Sequence, residues 1–188
     1  MATISTGNYT IGGCDLYFSS TIGLTTLASP TAFDTAAHSL GNIVVGEIAP
    51  EISYIEHWIS VNGRRVKDKT VNNTEAINIS FTFDELNKAN INKFFMGTES
   101  ASVITVLNNT LDEGCAVLKV TTAIGNDLRY TIPKCTLKPD GGWSMNTESW
   151  HEIPMMVEVL KYTSGDSTNG TDNTAYLAAP YGKVTLSS

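Results

Sequence analysis

Ile52-Ser53-Tyr54-Ile55-Glu56-His57-Trp58-Ile59-Ser60-Val61-Asn62-Gly63-Arg64-Arg65-Val66-Lys67-Asp68-Lys69 is the stretch on which the fold turns. A run rich in β-branched and aromatic side chains leads into Asn-Gly, the pair that most readily takes the two positive-φ positions of a tight hairpin turn. A long β-hairpin is expected here. Its ascending strand is apolar on both faces: Ile52, Tyr54 and Trp58 share one parity with Glu56, while Ile55, Ile59 and Val61 share the other with His57. Such a strand is either central in its own core or lies between that core and a neighbouring subunit. After the turn, five of the six residues from Arg64 to Lys69 are charged, a dense cationic run in an otherwise acidic chain.

Working outward, Ile43-Val44-Val45 reads as a strand entering the hairpin, and residues 1–41 read as an arm, one strand and a long loop. Downstream, Ala76 to Phe83 alternates cleanly, with Ile77, Ile79, Phe81 and Phe83 toward a core and Asn78, Ser80 and Thr82 toward water. One helix is expected near 84–96, capped by Thr82 or Asp84, using Leu86, Ile91 and Phe94 as its apolar face and ending at Gly97. Asp84 with Glu85 reads as first-turn helix charge, and Asp112-Glu113-Gly114 as a turn. Strands are expected at Ala101–Leu107, Cys115–Thr122, Leu128–Leu137 and Glu148–Tyr162. Ala116, Leu118 and Val120 would pair with Leu128, Tyr130 and Ile132 across a turn at Gly125. The apolar parity of the third of these strands switches after Pro133, which predicts a bulge or an edge position. The last strand would put Ile153, Met155, Val157 and Val159 inward and Glu152, Met156 and Glu158 outward, with a bend at Pro154. Residues 164–188 read as a linker and a C-terminal tail, docked or forming a short extra strand, which leaves 42–163 as the main domain.

The 188 residues suit one domain, 41% hydrophobic and only 16% charged. Thr, Ser and Asn make up about 30% of the chain, which tilts the expectation to mainly β. A net charge of -7 argues against a basic nucleic-acid grip or a polybasic membrane patch. No apolar run is long enough to cross a bilayer, and Met1 to Thr6 lacks the basic and apolar regions of a signal peptide, so a reducing cytoplasm is expected. Cys14, Cys115 and Cys135 match no disulfide or zinc spacing and are expected to be buried thiols.

Catalytic motifs are missing: there is no GxSxG, HExxH, P-loop, GxGxxG or EF-hand pattern. His38, His57 or His151 with Cys115 or Cys135 would make a thiol hydrolase on paper, without any local signature for it. No catalytic residue, metal or cofactor is expected. The cationic run admits phosphate contact, a solvated turn, or docking on the acidic surface of another copy, and docking fits the chain's charge best. The candidate docking residues are Tyr54, Glu56, Trp58, Arg64, Arg65, Lys67, Asp68 and Lys69.

The segment Tyr54 to Lys69, followed by Ile77-Asn78-Ile79-Ser80-Phe81-Thr82-Phe83-Asp84-Glu85-Leu86-Asn87, resembles the major tail tube proteins of long-tailed bacteriophages. The order of elements does too, ending in a long strand of the Ile153-Pro154-Met155-Met156-Val157-Glu158-Val159-Leu160 kind. The likeness covers roughly residues 42 to 162. It implies a β-sandwich or incomplete barrel with one flanking helix, a projecting hairpin and extended terminal arms. It implies also six copies per ring, rings stacked into a tube in the virion tail, and assembly in the host cytoplasm with tape measure, tail tip and terminator proteins. DNA would pass through without specific binding, and no enzyme activity or membrane contact is implied. A conduit wall should be acidic or neutral, repelling phosphates within about 8 to 10 Å. Asn78, Ser80, Thr82, Glu152 and Glu158 are the candidate lumen-lining residues. The alternative is a monomeric β-sandwich binding module of carbohydrate-binding or adhesin type, using Trp143, Trp150 and Tyr176 as stacking platforms.

Overall fold

The computed structural model describes residues 12–122, 127–145, 148, 151–166 and 174–187. Along these run β1 (Gly12–Ser19), α1 (Pro30–Phe33), β2 (Ser39–Val61), β3 (Arg64–Phe83), α2 (Lys88–Phe94), β4 (Thr98–Ser100) and β5 (Val103–Thr105). They are followed by β6 (Asp112–Thr122), β7 (Asp127–Pro139), β8 (Ile153–Val159), α3 (Thr174–Leu177) and β9 (Lys183–Ser187). The protein is mainly β, and its strand pairings are antiparallel.

Neighbours in the main sheet run β6-β1-β2-β3-β8-β7-β9, and an additional β6–β7 pairing returns the order on itself. Six strands thus form a ring with β9 outside it on β7. The seam between β1 and β2 is narrow, held at Asp15 opposite Asn42 and Tyr17 opposite Ser39. Beyond it the two strands leave a cleft of about 210 Å³ lined by Cys14, Gly46, Ile48, Ile79, Phe81 and Leu118. The expected incomplete barrel is recognisable in this gap.

The clean alternations decide the core. Ile79, Phe81 and Phe83 of β3 and Ile153, Met155, Val157 and Val159 of β8 are buried, together with Leu16, Phe18, Ala116, Leu118, Tyr130 and Ile132. Ala116, Leu118 and Val120 pair with Ile132, Tyr130 and Leu128, as expected. The parity switch is a bulge: Gly114 opposes Cys135 and Ala116 opposes Ile132, so Cys115 faces both Pro133 and Lys134. Pro154 is held inside β8, opposite Thr82.

A second cluster, Leu27, Phe33, Cys115, Val117, Tyr162 and Tyr176, fills the outer side of the β1–β6 wall. Arg129 fastens this layer with a two-pronged bridge to Asp34 at 2.8 and 3.1 Å and a hydrogen bond to the Leu27 carbonyl. The expected tail is therefore docked: Tyr176 is buried, and β9 pairs with Asp127 to Thr131.

Several expectations are corrected. The two short strands before the turn are one 23-residue strand. The helix starts at Lys88 rather than at Asp84, because β3 stays paired to β8 through Phe83 opposite Ile153. The Asp84 carboxylate accepts from Asn42 Nδ2 at 3.0 Å, and the cap is Asn87, whose side chain accepts from the Asn90 N–H at 2.8 Å. Leu86 is exposed, while Ile91 and Phe94 pack on the core. Asp112 and Glu113 begin β6 instead of making a turn, and of the expected Ala101–Leu107 strand only Val103–Thr105 is strand, paired with β4 across a turn at Ala101 and Ser102. Cys115 and Cys135 are buried, but Cys14 is only partly so. The turn residues Gly125 and Asn126, and residues 167–173 of the expected linker, lie outside the described residues.

The faces of β3 are testable by paired substitutions. Phe81→Ala should cost roughly 3 to 5 kcal/mol in urea unfolding, whereas Ser80→Ala should cost less than about 1 kcal/mol. Equal losses would show the faces to be assigned wrongly.

Candidate assembly interface

Asn62 and Gly63 have φ values of 49° and 76°, the two positive values that an Asn-Gly hairpin turn requires. That turn fixes Val61 opposite Arg64, and the pairing continues to Ile43 opposite Phe83. On the inner side of the hairpin, β8 covers β3 only from Ile77 to Phe83, and β1 touches β2 only at Ser39 and Asn42. From Glu51, opposite Ala76, outward the hairpin therefore continues as a bare two-stranded ribbon about 35 Å long at the usual strand rise. Both of its edges lack a further strand among the described residues.

Two bulges, between Ser53 and Tyr54 and between His57 and Trp58, each add one residue to β3, namely Asn73 and Asp68. The register sorts the side chains by face. Tyr54, Glu56 and Trp58 lie on one face with Arg65 and Lys67: Lys67 is ion-paired to Glu56, and the Arg65 guanidinium sits 5.9 Å from the Trp58 ring centroid. The other face carries Ile55, Ile59 and Val61 opposite Val71, Val66 and Arg64. Asp68 bonds His57 at 2.6 Å, and Arg64 and Lys69 have no ion-pair partner among the described residues.

Of the eight candidate docking residues, five are thus gathered on one face, Arg64 and Lys69 project from the other, and Asp68 occupies a bulge. Ile55, Ile59, Val61, Val66 and Val71 form an aliphatic patch that was not among those candidates. The opposed parity of Ile55, Ile59 and Val61 hinted at it. Val66 and Val71 were hidden because the Asp68 bulge breaks the period of two.

Eleven of the twenty large hydrophobic side chains exposed among the described residues lie on β2 and β3. Ile55 is 58% exposed, Tyr54 57% and Val71 52%. They divide between the two faces of the ribbon and its root, and exposed apolar clusters of this kind mark interaction sites. Covering the open half of each contributes about 1 kcal/mol, so the set supplies on the order of 10 kcal/mol. That is comparable to the roughly 4 to 15 kcal/mol that association costs in lost freedom.

The candidate lumen residues fall together at the ribbon's root. Asn78 is opposite Glu158 and Thr82 opposite Pro154, so one face of β3 and β8 carries Asn78, Ser80, Thr82 and Glu158, with Glu152 bridged to Ser144 just before β8. Glu47 and Ala49 extend this face on β2. Asn78, Ser80 and Thr82 are half-buried rather than open to water. Glu158 is paired with Lys138 at 2.6 Å and Asn78 donates to Glu51 at 3.2 Å, so the face mixes carboxylates with amides, hydroxyls and one lysine.

The other candidate sites fare differently. Burial pushes the Cys115 thiol up to about 12 and, with the Asp15 charge, the Cys14 thiol up to about 11, and burial with the neighbouring Cys115 holds Cys135 well above the usual thiol range. Such thiols are poor nucleophiles at neutral pH. Trp143 packs against Phe94 and Phe95 at 6.1 and 6.3 Å, and Tyr176 is buried, so neither is an open stacking platform. Trp150 lies outside the described residues. Among the described residues no group of three or more His, Cys, Asp or Glu could hold a metal ion, and no helix is long and apolar enough to cross a membrane.

Because Ile59 and Val66 are exposed partners in one cross-strand pair, Ile59→Asn with Val66→Asn should leave the melting temperature of the isolated chain within about 2 °C of the parent. The same variant should lose concentration-dependent association in sedimentation. Unchanged association, or a large fall in melting temperature, would show that this patch is not an interface. No protein-family model matches the chain, and no curated protein matches it.

Proposed function

We propose that the chain is a structural subunit that associates with itself into rings, and that the rings stack into the tail tube of a long-tailed bacteriophage. The observation that carries this reading is the ribbon of β2 and β3. A lone two-stranded hairpin with apolar residues on both faces and two open edges is marginal in water, so other copies must cover it. The resemblance of residues 42 to 162 to tail tube proteins supplies the kind of assembly: six copies per ring, built in the host cytoplasm and ending in the virion tail. Tape measure, tail tip and terminator proteins are its proposed partners, and its role is not enzymatic.

In this reading the half-polar face with Asn78, Ser80, Thr82, Glu152 and Glu158 lines the channel. DNA finds carboxylates and neutral groups there, and the one lysine is already occupied by Glu158. The binding-module alternative has lost its support at Trp143 and Tyr176.

Negative-stain microscopy of the purified chain, together with light scattering over a concentration series, tests the reading. Annuli or tubes are expected, with scattering that rises faster than concentration. A compact monomer at every concentration and salt level, and its absence from virions, would overturn it.

A further inference from the structure

Tip and root of the hairpin carry opposite charge. At the tip, Arg64 and Lys69 have no ion-pair partner among the described residues and Arg65 lies over Trp58. Asn42 and Asp84 sit where β2 begins and β3 ends, about twenty residues of strand away from the turn, up to about 65 Å for an unbent ribbon. A groove of about 410 Å³ opens there, lined among others by Tyr17, Asp34, Ser39, Gly41 and Glu85.

Two carboxylates, Asp34 and Glu85, line the groove itself, and the second is placed there by a glycine. Gly41 has φ of +93°, and a Cβ there would collide with the Glu85 carboxylate, so the glycine lets Glu85 lie against the β2 backbone. Asp84 is held beside it by Asn42 at 3.0 and 3.1 Å, and Asp15 stands opposite Asn42 on β1. Asp34 is answered by Arg129, but Asp15, Asp84 and Glu85 have no lysine or arginine partner among the described residues.

We infer that this groove is the acceptor for the hairpin tip of a second copy, with Arg64 and Arg65 meeting Asp84 and Glu85. This rests on the self-assembly reading and names the contact within it. Donor and acceptor are different surfaces at opposite ends of the ribbon; repeated head-to-tail between successive rings, the contact leaves free tips at one end of the stack and free grooves at the other, whereas two copies laid antiparallel would close it as a dimer that sedimentation would reveal. The aliphatic patch beside Arg64 supplies burial, and the charges supply register and direction.

Charge reversal of the full-length chain tests the contact. Asp84→Lys with Glu85→Lys, and separately Arg64→Glu with Arg65→Glu, should each lower the assembled fraction in low salt about tenfold, and all four together should restore it. If the groove reversal impairs folding by circular dichroism, the milder Asp84→Asn with Glu85→Gln should still weaken assembly, and Arg64→Cys with Glu85→Cys should cross-link between copies through a bis-maleimide. Groove variants that assemble like the parent, a quadruple variant no better than either pair, or no cross-link between copies would overturn the acceptor assignment while the self-assembly reading stands. A parent chain that never assembles would overturn both.

Discussion

The pairing of β2 with β3 across Asn62 and Gly63 is the constraint from which the other features descend. A two-residue turn with both φ values positive admits one register, and a one-residue slip would exchange the two faces of every strand beyond it. With the register fixed, Phe81 and Phe83 point into the barrel, β8 pairs alongside, and the bulge at Pro133 lets β7 close against β6 while also reaching β8. The same register pushes the distal half of the hairpin beyond the reach of any other strand described. One continuous element thus builds a core at one end and an uncovered surface at the other.

That division explains how the protein can be folded and yet incomplete. Two apolar clusters are closed within the chain, and ion pairs such as Arg129 with Asp34 fasten the loops over them. The ribbon has no such cover. Its apolar side chains sit on both faces, its edges are open, and its charges are segregated toward the tip. Charge and two bulges blunt its edges toward the tip, yet its distal strands keep their aliphatic rows on both faces.

Much of this was readable in the sequence wherever one local signal acted alone. Asn62-Gly63 announced the turn, the alternation from Ile77 to Phe83 announced the buried face, and the parity change after Pro133 announced the bulge. Signals failed where tertiary contacts overrode them. Asp84 resembles a helix cap, but its carboxylate is taken by Asn42, so the helix waits for Asn87. Pro50 and the mixed residues around it concealed that Ser39 to Val61 is one strand, because pairing to β3 carries the chain through a region of weak propensity. The aliphatic patch on the ribbon was half visible, since Val66 and Val71 are set out of phase by the Asp68 bulge. Tyr176 begins the tail that follows a stretch of linker composition, and which cluster it docks on was not legible there; it is buried because the second cluster has a place for it. The groove joins Asp34 and Glu85, with Asp15 and Asp84 gathered beside it around Asn42, from distant parts of the chain, which no local pattern could join.

Hydrogen exchange measured on the isolated chain and on its assembled form tests the central claim most directly. The account predicts that amides of residues 48–61 and 64–76 exchange quickly in the isolated chain wherever they face an open edge, and slow by about tenfold or more on assembly, while those of β8 are protected equally in both. Exchange along the ribbon that is the same before and after assembly, or protection gained in β8 instead, would contradict it.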